Sequence, residues 1–209
     1  MINKKIENQS NDSLFFTRSN LDNSKVDKIV SDALHKADDG ELFMEFCESE
    51  SFVYDDQRLK SASFDTSKGF GLRAIAGESS GYAHSSDIDE NALKKASETV
   101  NFITKDHNAN FNANFSKTNR KLYNEINPIN ETEFSEKVET LKKIDEYARS
   151  KNPNVKQVSA SLNGEWQAVR IYRPGGIMIE DLRPLVRLYV SIVLEKDGRQ
   201  ENGSRGSGG

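Results

Sequence analysis

The sequence predicts an α+β fold, a mostly antiparallel sheet carrying three main helices. Two observations point there. Apolar and polar residues alternate with period 2 in two separate blocks, Leu42 to His84 and Val155 to Asp197. Three other stretches repeat apolar residues at helical spacing, and they bracket the strand blocks rather than alternating with single strands. Runs of strands between helices favour an antiparallel meander over a doubly wound nucleotide fold.

The elements follow in order. Residues 1–22 are polar and Asn/Ser-rich and are expected to form a flexible segment, with Leu14-Phe15-Phe16 docking as a short strand. Ser24 to Ala37 is expected to be a helix on Val26, Ile29, Val30, Ala33, Leu34 and Ala37, with Ser24 and Asp27 as its capping pair. Leu42, Met44, Phe46, Phe52 and Tyr54 share one strand face, interrupted by polar residues at 48–51. A turn at Asp55-Asp56 leads to a strand from Arg58 to Phe64, a further strand on Phe70, Leu72, Ala74 and Ala76, a turn at Gly77–Gly81, and a strand from Tyr82. Asp89 caps a helix to about Ile103, with Ile88 and Leu93 as a hydrophobic staple. These elements make one part, 23–104.

Residues 105–130 form a long Asn-rich connection, expected to be pinned by Phe111, Phe115, Leu122, Tyr123 and Ile126. In the part 131–197, a helix from Glu133 to Ser150 precedes a strand from Val155 to Leu162. Asn163-Gly164 is expected to turn a hairpin into a return strand from Glu165 to Tyr172. After Pro174-Gly175-Gly176 a long strand runs to Asp197, with Val186, Leu188, Val190, Ile192 and Leu194 on a buried face. Residues 198–209, rich in Gly and Ser, are expected to be a flexible linker.

Composition narrows the function. The 209 residues carry a net charge of -4 with no dominant Lys/Arg block, which argues against a nucleic-acid partner. The apolar runs are too short to span a membrane. The two lysines near the N-terminus are not followed by an apolar stretch, so no secretory signal is expected. The single cysteine, Cys47, rules out an internal disulfide and fits a cytoplasmic location.

Residues of catalytic type do not assemble into a motif. His35, His84 and His107 have no second histidine at i+3 or i+4, and neither H-E-x-x-H nor C-x-x-C occurs. A reactive Cys47 would need a nearby base or cation, and the sequence places none beside it. Gly69-Phe70-Gly71 lacks phosphate-loop spacing and fits a bulge or close backbone approach. The pairs Asp38-Asp39 and Asp55-Asp56 are ordinary turn chemistry. No catalytic or metal residue is therefore expected. Arg187, on the side of its strand away from the apolar set, faces solvent, a partner or a peptide.

Several stretches together resemble a known family. They are Asp38-Asp-Gly-Glu-Leu-Phe-Met-Glu45, Arg58-Leu-Lys-Ser-Ala-Ser-Phe-Asp65, Gly69-Phe-Gly-Leu-Arg-Ala74 with Gly81-Tyr-Ala-His-Ser-Ser86, Ala160-Ser-Leu-Asn-Gly-Glu-Trp-Gln-Ala168, Asp181-Leu-Arg-Pro-Leu-Val-Arg187 and Gly198-Arg-Gln-Glu-Asn-Gly203. Residues 12–209 look like the N-terminal half of the TldD/PmbA metallopeptidase family, once called modulators of DNA gyrase, and most like its TldD type. The resemblance implies a cytosolic zinc peptidase acting on small or unfolded peptides. It also implies pairing with a TldE/PmbA-like paralogue, or with itself, around an enclosed chamber. The family's zinc sits on an H-E-x-x-x-H helix in its C-terminal half, and this chain contains no such motif. The chain is thus expected to be the scaffold part, inactive alone, with Arg73, His84, Arg183 and Arg187 as partner or chamber contacts. Two alternatives stand beside it: an interaction module binding a family partner or extended peptides, and a truncated product without function.

Overall fold

The computed structural model describes residues 11–17, 19–107, 122–124 and 126–209. The elements run α1 Asn11–Phe16, α2 Asn23–Leu34, β1 Asp39–Asp55, β2 Arg58–Ala76, β3 Ser79–Ser85, α3 Glu90–Thr104, a 3-10 turn Pro128–Asn130, α4 Phe134–Lys151, β4 Val155–Arg173, β5 Ile177–Lys196 and β6 Arg199–Gly208. The strands form a six-stranded antiparallel sheet in the order β3-β2-β1-β4-β5-β6, so the fold is α+β.

The chain divides into two compact units, and the long strands contribute a stretch to each. The first unit comprises Met1–Phe46, Ser67–Leu122 and Ala168–Asp181. Its helices are specified locally. The Asp22 carboxylate accepts the Lys25 N–H at 2.8 Å, and the Asp89 carboxylate accepts that of Ala92 at 2.8 Å, each satisfying an orphan donor of a first turn. Asp22, not Ser24, is therefore the cap of α2. Val26, Val30, Ala33 and Leu34 of α2, Leu93, Ala96 and Val100 of α3, and Leu42, Met44, Leu72 and Ala74 of the sheet are all buried. Each large side chain in that set contributes about 1.5–3 kcal/mol on burial. Leu14-Phe15-Phe16 belongs to α1, not to a strand. The rings of Phe15 and Phe16 lie within 5.1 and 5.5 Å of the buried Arg170 guanidinium, which gives that short helix its anchor.

The second unit comprises Cys47–Thr66, Tyr123–Gln167 and Leu182–Gly209. Phe52, Tyr54, Leu141 and Ala160 form its buried centre, with Leu59, Val138, Ile144, Leu162, Leu188 and Val190 packed around them.

Four expectations fail where pairing between distant strands overrides a local signal. The stretches around Phe64 and Phe70, expected as two strands, are one unbroken strand, β2. Asn163-Gly164 lies inside β4 instead of turning: the Asn163 side-chain carbonyl accepts the Ser51 hydroxyl at 2.8 Å, and a Cβ at Gly164 would stand 3.0 Å from the Glu50 side chain. Close approach explains that glycine better than a turn does. The Gly/Ser stretch expected as a linker is strand β6, paired antiparallel with β5 from Lys196↔Arg199 to Arg187↔Gly208. It is returned by the two-residue turn Asp197-Gly198, whose φ values of 52° and 79° give the turn geometry that matches strand twist. Finally, β5 is nowhere fully buried, and Leu185 and Val186 are about half exposed.

In the connection, Phe111 and Phe115 lie outside the described residues, while Leu122, Tyr123 and Ile126 are exposed instead of acting as pins. Ile129, in the 3-10 turn, is the buried one.

Candidate functional site

The four arginine and histidine positions singled out from the sequence fall into two pairs. In the first unit, Arg73 stands directly opposite Tyr82, and Gly71 opposite His84, on one face of the β2–β3 ladder. Arg73 is exposed and pairs with Glu41 at 3.4 Å. His84 is exposed and stacks on Tyr82, with ring centroids 5.7 Å apart and planes at 27°. Gly71 fits the expected close approach: a Cβ there would lie 2.5 Å from the Tyr82 hydroxyl. Gly69 does too, at 2.8 Å from the Ser85 carbonyl.

In the second unit, Arg183 and Arg187 stand four residues apart on β5, hence on one face of that strand. Arg183 donates to the Gln167 side chain at 3.5 Å. The exposed Arg187 guanidinium lies over the Tyr189 ring, 5.7 Å from its centroid.

His84 also lines an open cleft of about 450 Å³ beside the start of α3, with Ser85, Asp87, Asp89, Lys95 and Thr99 among its walls. Its lining is mostly polar groups that already cap the helix or face water.

Two buried polar centres escaped sequence reasoning. In the first unit, Arg170 of β4 is 1% exposed. Its guanidinium donates to Asp12 at 2.7 Å, to Asn23 at 2.9 Å and to Glu180, whose carboxylate it meets through both Nε and Nη2. The Tyr172 hydroxyl donates to Asn23 at 2.5 Å and accepts from Arg170 at 3.4 Å. Burial opposes the Arg170 charge, but Tyr172 and Glu180 more than offset it and hold the group above its ordinary value. Burial pushes the Tyr172 phenol up.

In the second unit, Lys137 of α4 donates to Glu50 of β1 at 2.6 Å and to the Ile129 carbonyl at 2.7 Å, and both side chains of the ion pair are buried. Beside them, Asn127 and Asn130 donate to Glu48. The 3-10 turn is thus fastened to β1 by charge. A signal for these residues existed: Glu48 and Glu50 sit on the buried phase of the β1 alternation, and Arg170 sits between the buried Ala168 and Tyr172. A charge on a buried phase calls for a partner.

Among the described residues no group of three His, Cys, Asp or Glu side chains could hold a metal ion. No helix among the described residues is long and apolar enough to cross a membrane.

Comparison with known proteins identifies the scaffold. Residues 40–101 match the model of PmbA/TldA metallopeptidase domain 1, and residues 127–209 match that of the PmbA/TldA metallopeptidase central domain. The chain is 34% identical over 197 residues to a metalloprotease TldD homolog of Haemophilus influenzae, covering 92% of this chain and 41% of that protein. It is 28% identical to the metalloprotease TldD homolog of Buchnera aphidicola subsp. Schizaphis graminum, covering 92% and 40%. The chain therefore spans about two fifths of the length of the curated relatives it matches. Among solved structures, one from Bacteroides thetaiotaomicron, described as a modulator of DNA gyrase, aligns with a TM-score of 0.68 at 15% identity, covering 88% of this chain and 44% of that one. TldE from Thermococcus kodakarensis aligns with a TM-score of 0.55 at 17% identity, covering 88% and 42%. At those identities the likeness is one of fold. The two domain matches, in their order along the sequence, and the TldD relatives place the chain in the PmbA/TldD metallopeptidase family, as an N-terminal part of its TldD type.

Proposed function

We propose that this chain is the scaffold part of a TldD-type zinc metallopeptidase that degrades or processes small or unfolded peptides in the cytoplasm. In this reading it builds a wall of the substrate chamber and contributes to contact with a TldE/PmbA-like paralogue or a second copy. The consecutive matches to the first and central domains of a metallopeptidase family carry it. The zinc and the water it activates would belong to a part of the enzyme outside this chain, and the chain alone is inactive. Arg73, His84, Arg183 and Arg187 are the residues we assign to partner or peptide contact. Each is a polar or cationic group on a sheet face, suited to a peptide carbonyl or carboxylate.

The experiment is a chimera. This chain replaces the corresponding part of a TldD-type relative, and zinc content and cleavage of an unfolded casein probe are measured for the chimera and for the chain alone. The expected result is metal-dependent cleavage by the chimera, with neither cleavage nor stoichiometric zinc in the isolated chain. Cleavage or one tightly held zinc in the isolated chain would overturn the reading, as would a folded chimera that binds zinc and does not cleave.

One observation favours a second reading, that of an interaction module for an extended strand. Among the described residues β6 is the last strand of the sheet, a position at which an extended strand can add.

A further inference from the structure

We propose that Arg170 and Asn23 form a binding site for a carboxylate carried beside an aromatic ring, and that α1 is a removable plug whose Asp12, Phe15 and Phe16 fill that site when it is closed. The site lies wholly within the first unit, and the proposal is independent of peptidase activity.

The contacts of Asp12 are those of a bound ligand. Its carboxylate accepts from Arg170 Nη1 at 2.7 Å and from Asn23 Nδ2 at 3.1 and 3.3 Å. The rings of Phe15 and Phe16 lie 5.1 and 5.5 Å from the same guanidinium. A guanidinium takes a carboxylate along its donor edge and aromatic rings on its faces. Here the receiving groups sit on β4 and α2, and everything they receive comes from one short helix. The receiver is buried, with the Arg170 side chain 2% exposed, whereas the Asp12 side chain is 52% exposed and open to competition from water and solutes.

Three features make α1 separable. Its six residues are too few to hold a helix alone, so its order comes from docking. Burial of Phe15 and Phe16 favours the docked state, and the entropy of ordering the segment opposes it with a term of similar size. Opening is then a local event that lies below global unfolding. Next, the floor beneath α1 stays satisfied when the helix leaves. Arg170 retains Glu180, Asn23 and Tyr172, and the Tyr172 hydroxyl retains Asn23. The polar groups released are donors of Arg170 and Asn23, which water or a new carboxylate can take. Finally, α2 does not lean on α1 for its start, because Asp22 caps it through the Lys25 N–H at 2.8 Å.

A competing ligand must supply both the charge and the ring. It must also displace a tethered occupant, so its apparent affinity is reduced by the small fraction of open chains.

The test is hydrogen–deuterium exchange of the 209-residue chain, read by mass spectrometry during titration with N-acetyl-L-phenylalaninate. The neutral N-acetyl-L-phenylalanine amide serves as control, and circular dichroism checks the fold of each variant. The expected result is that the carboxylate speeds exchange in residues 11–17 while α2 and α3 are unchanged, and that the amide does neither. Asp12→Asn removes the built-in carboxylate and should lower the half-saturating concentration on the order of tenfold, the worth of one hydrogen bond to a charged group. Arg170→Met should abolish the response. Asn23→Asp keeps an oxygen for Arg170 and Tyr172 but replaces the amide donor with a second acceptor, and should abolish the response as well. The proposal is overturned if exchange in residues 11–17 ignores the ligand, if the neutral amide acts equally, or if Asp12→Asn leaves half-saturation unchanged. Exchange of residues 11–17 only in step with α2 and α3 would make α1 part of the global core and would also overturn it.

Discussion

Arg170 and Lys137 are both buried cations, held in opposite ways. Arg170 has two carboxylates, an amide, a phenol and two aromatic rings around it, and its acidic partners Asp12 and Glu180 keep contact with water. Lys137 has one carboxylate, one carbonyl and the Phe52 ring, 5.8 Å from its ammonium, and its acidic partner Glu50 is as buried as itself. The difference follows from side-chain chemistry. A guanidinium presents five donors in a fixed fork and can gather partners from α1, the start of α2 and β5. An ammonium is a compact charge that fits one carboxylate tightly. The first centre is redundant and distributes its load. The second is minimal, and neither partner has a substitute.

The sharpest way to break this contrast is at Glu50. Glu50→Ala leaves the Lys137 ammonium buried without a counter-charge, with only the Ile129 carbonyl and the Phe52 ring beside it, and should cost about 3–5 kcal/mol. The paired replacement Glu50→Leu with Lys137→Met removes both charges and should recover stability to within about 1–2 kcal/mol of the parent. Guanidinium unfolding of the single and double variants measures both. A single variant losing under about 1 kcal/mol would show that water enters to solvate the lysine, and the centre would not be minimal.

Arg170 should respond more gently. Arg170→Met keeps much of the side-chain length between Phe15 and Phe16 and leaves Asp12 and Glu180 to water, so the loss should be about 2 kcal/mol, mostly from hydrogen bonds to charged groups. Glu180→Gln, which removes one charge from a crowded set, should cost less than about 1 kcal/mol. If Glu180→Gln matched Arg170→Met in the same unfolding assay, the redundancy argument would fail.

How far these centres were legible differs by level. The spacing of Val26, Val30 and Leu34, and of Leu93, Ala96 and Val100, gives α2 and α3 directly, because a helix closes its bonds within a few residues. The alternation of Leu42, Met44, Phe52 and Tyr54 gives β1 for a similar reason. Asn163-Gly164 misleads because the partner that fixes it, Ser51, lies far off in sequence. The Gly/Ser composition of β6 misleads because a ladder with β5 supplies what side chains do not. Glu50 was visible as a charge on a buried phase, yet no local period names Lys137 as its partner. Arg183 and Arg187 were legible as exposed strand positions. Tyr189 follows Arg187 onto the same face by strand alternation, whereas Gln167 reaches Arg183 only through the fold.

The smallest expected effect separates both buried centres from an exposed one. Asp38 accepts the Gly77 N–H at 2.7 Å and meets the His107 ring at 2.8 Å. The Gly77 bond first, and His107 second, hold its carboxyl below the ordinary value of 3.8. A depressed carboxylate contributes stability that is fully present above its unfolded value and is lost as pH falls through its lower folded value. The Asp38 contribution should therefore be complete at neutral pH and be lost only in acid, below about pH 4. Asp38→Asn keeps an oxygen for Gly77 and removes the titration, so thermal unfolding from pH 5 to pH 2 should show a shallower acid loss than the parent. Raising salt to 1 M should screen the His107 contribution and leave most of the depression, since its largest cause is a backbone hydrogen bond. An Asp38 carboxyl resonance that returned to its ordinary titration in high salt would reverse that ranking and make the contact an ion pair first.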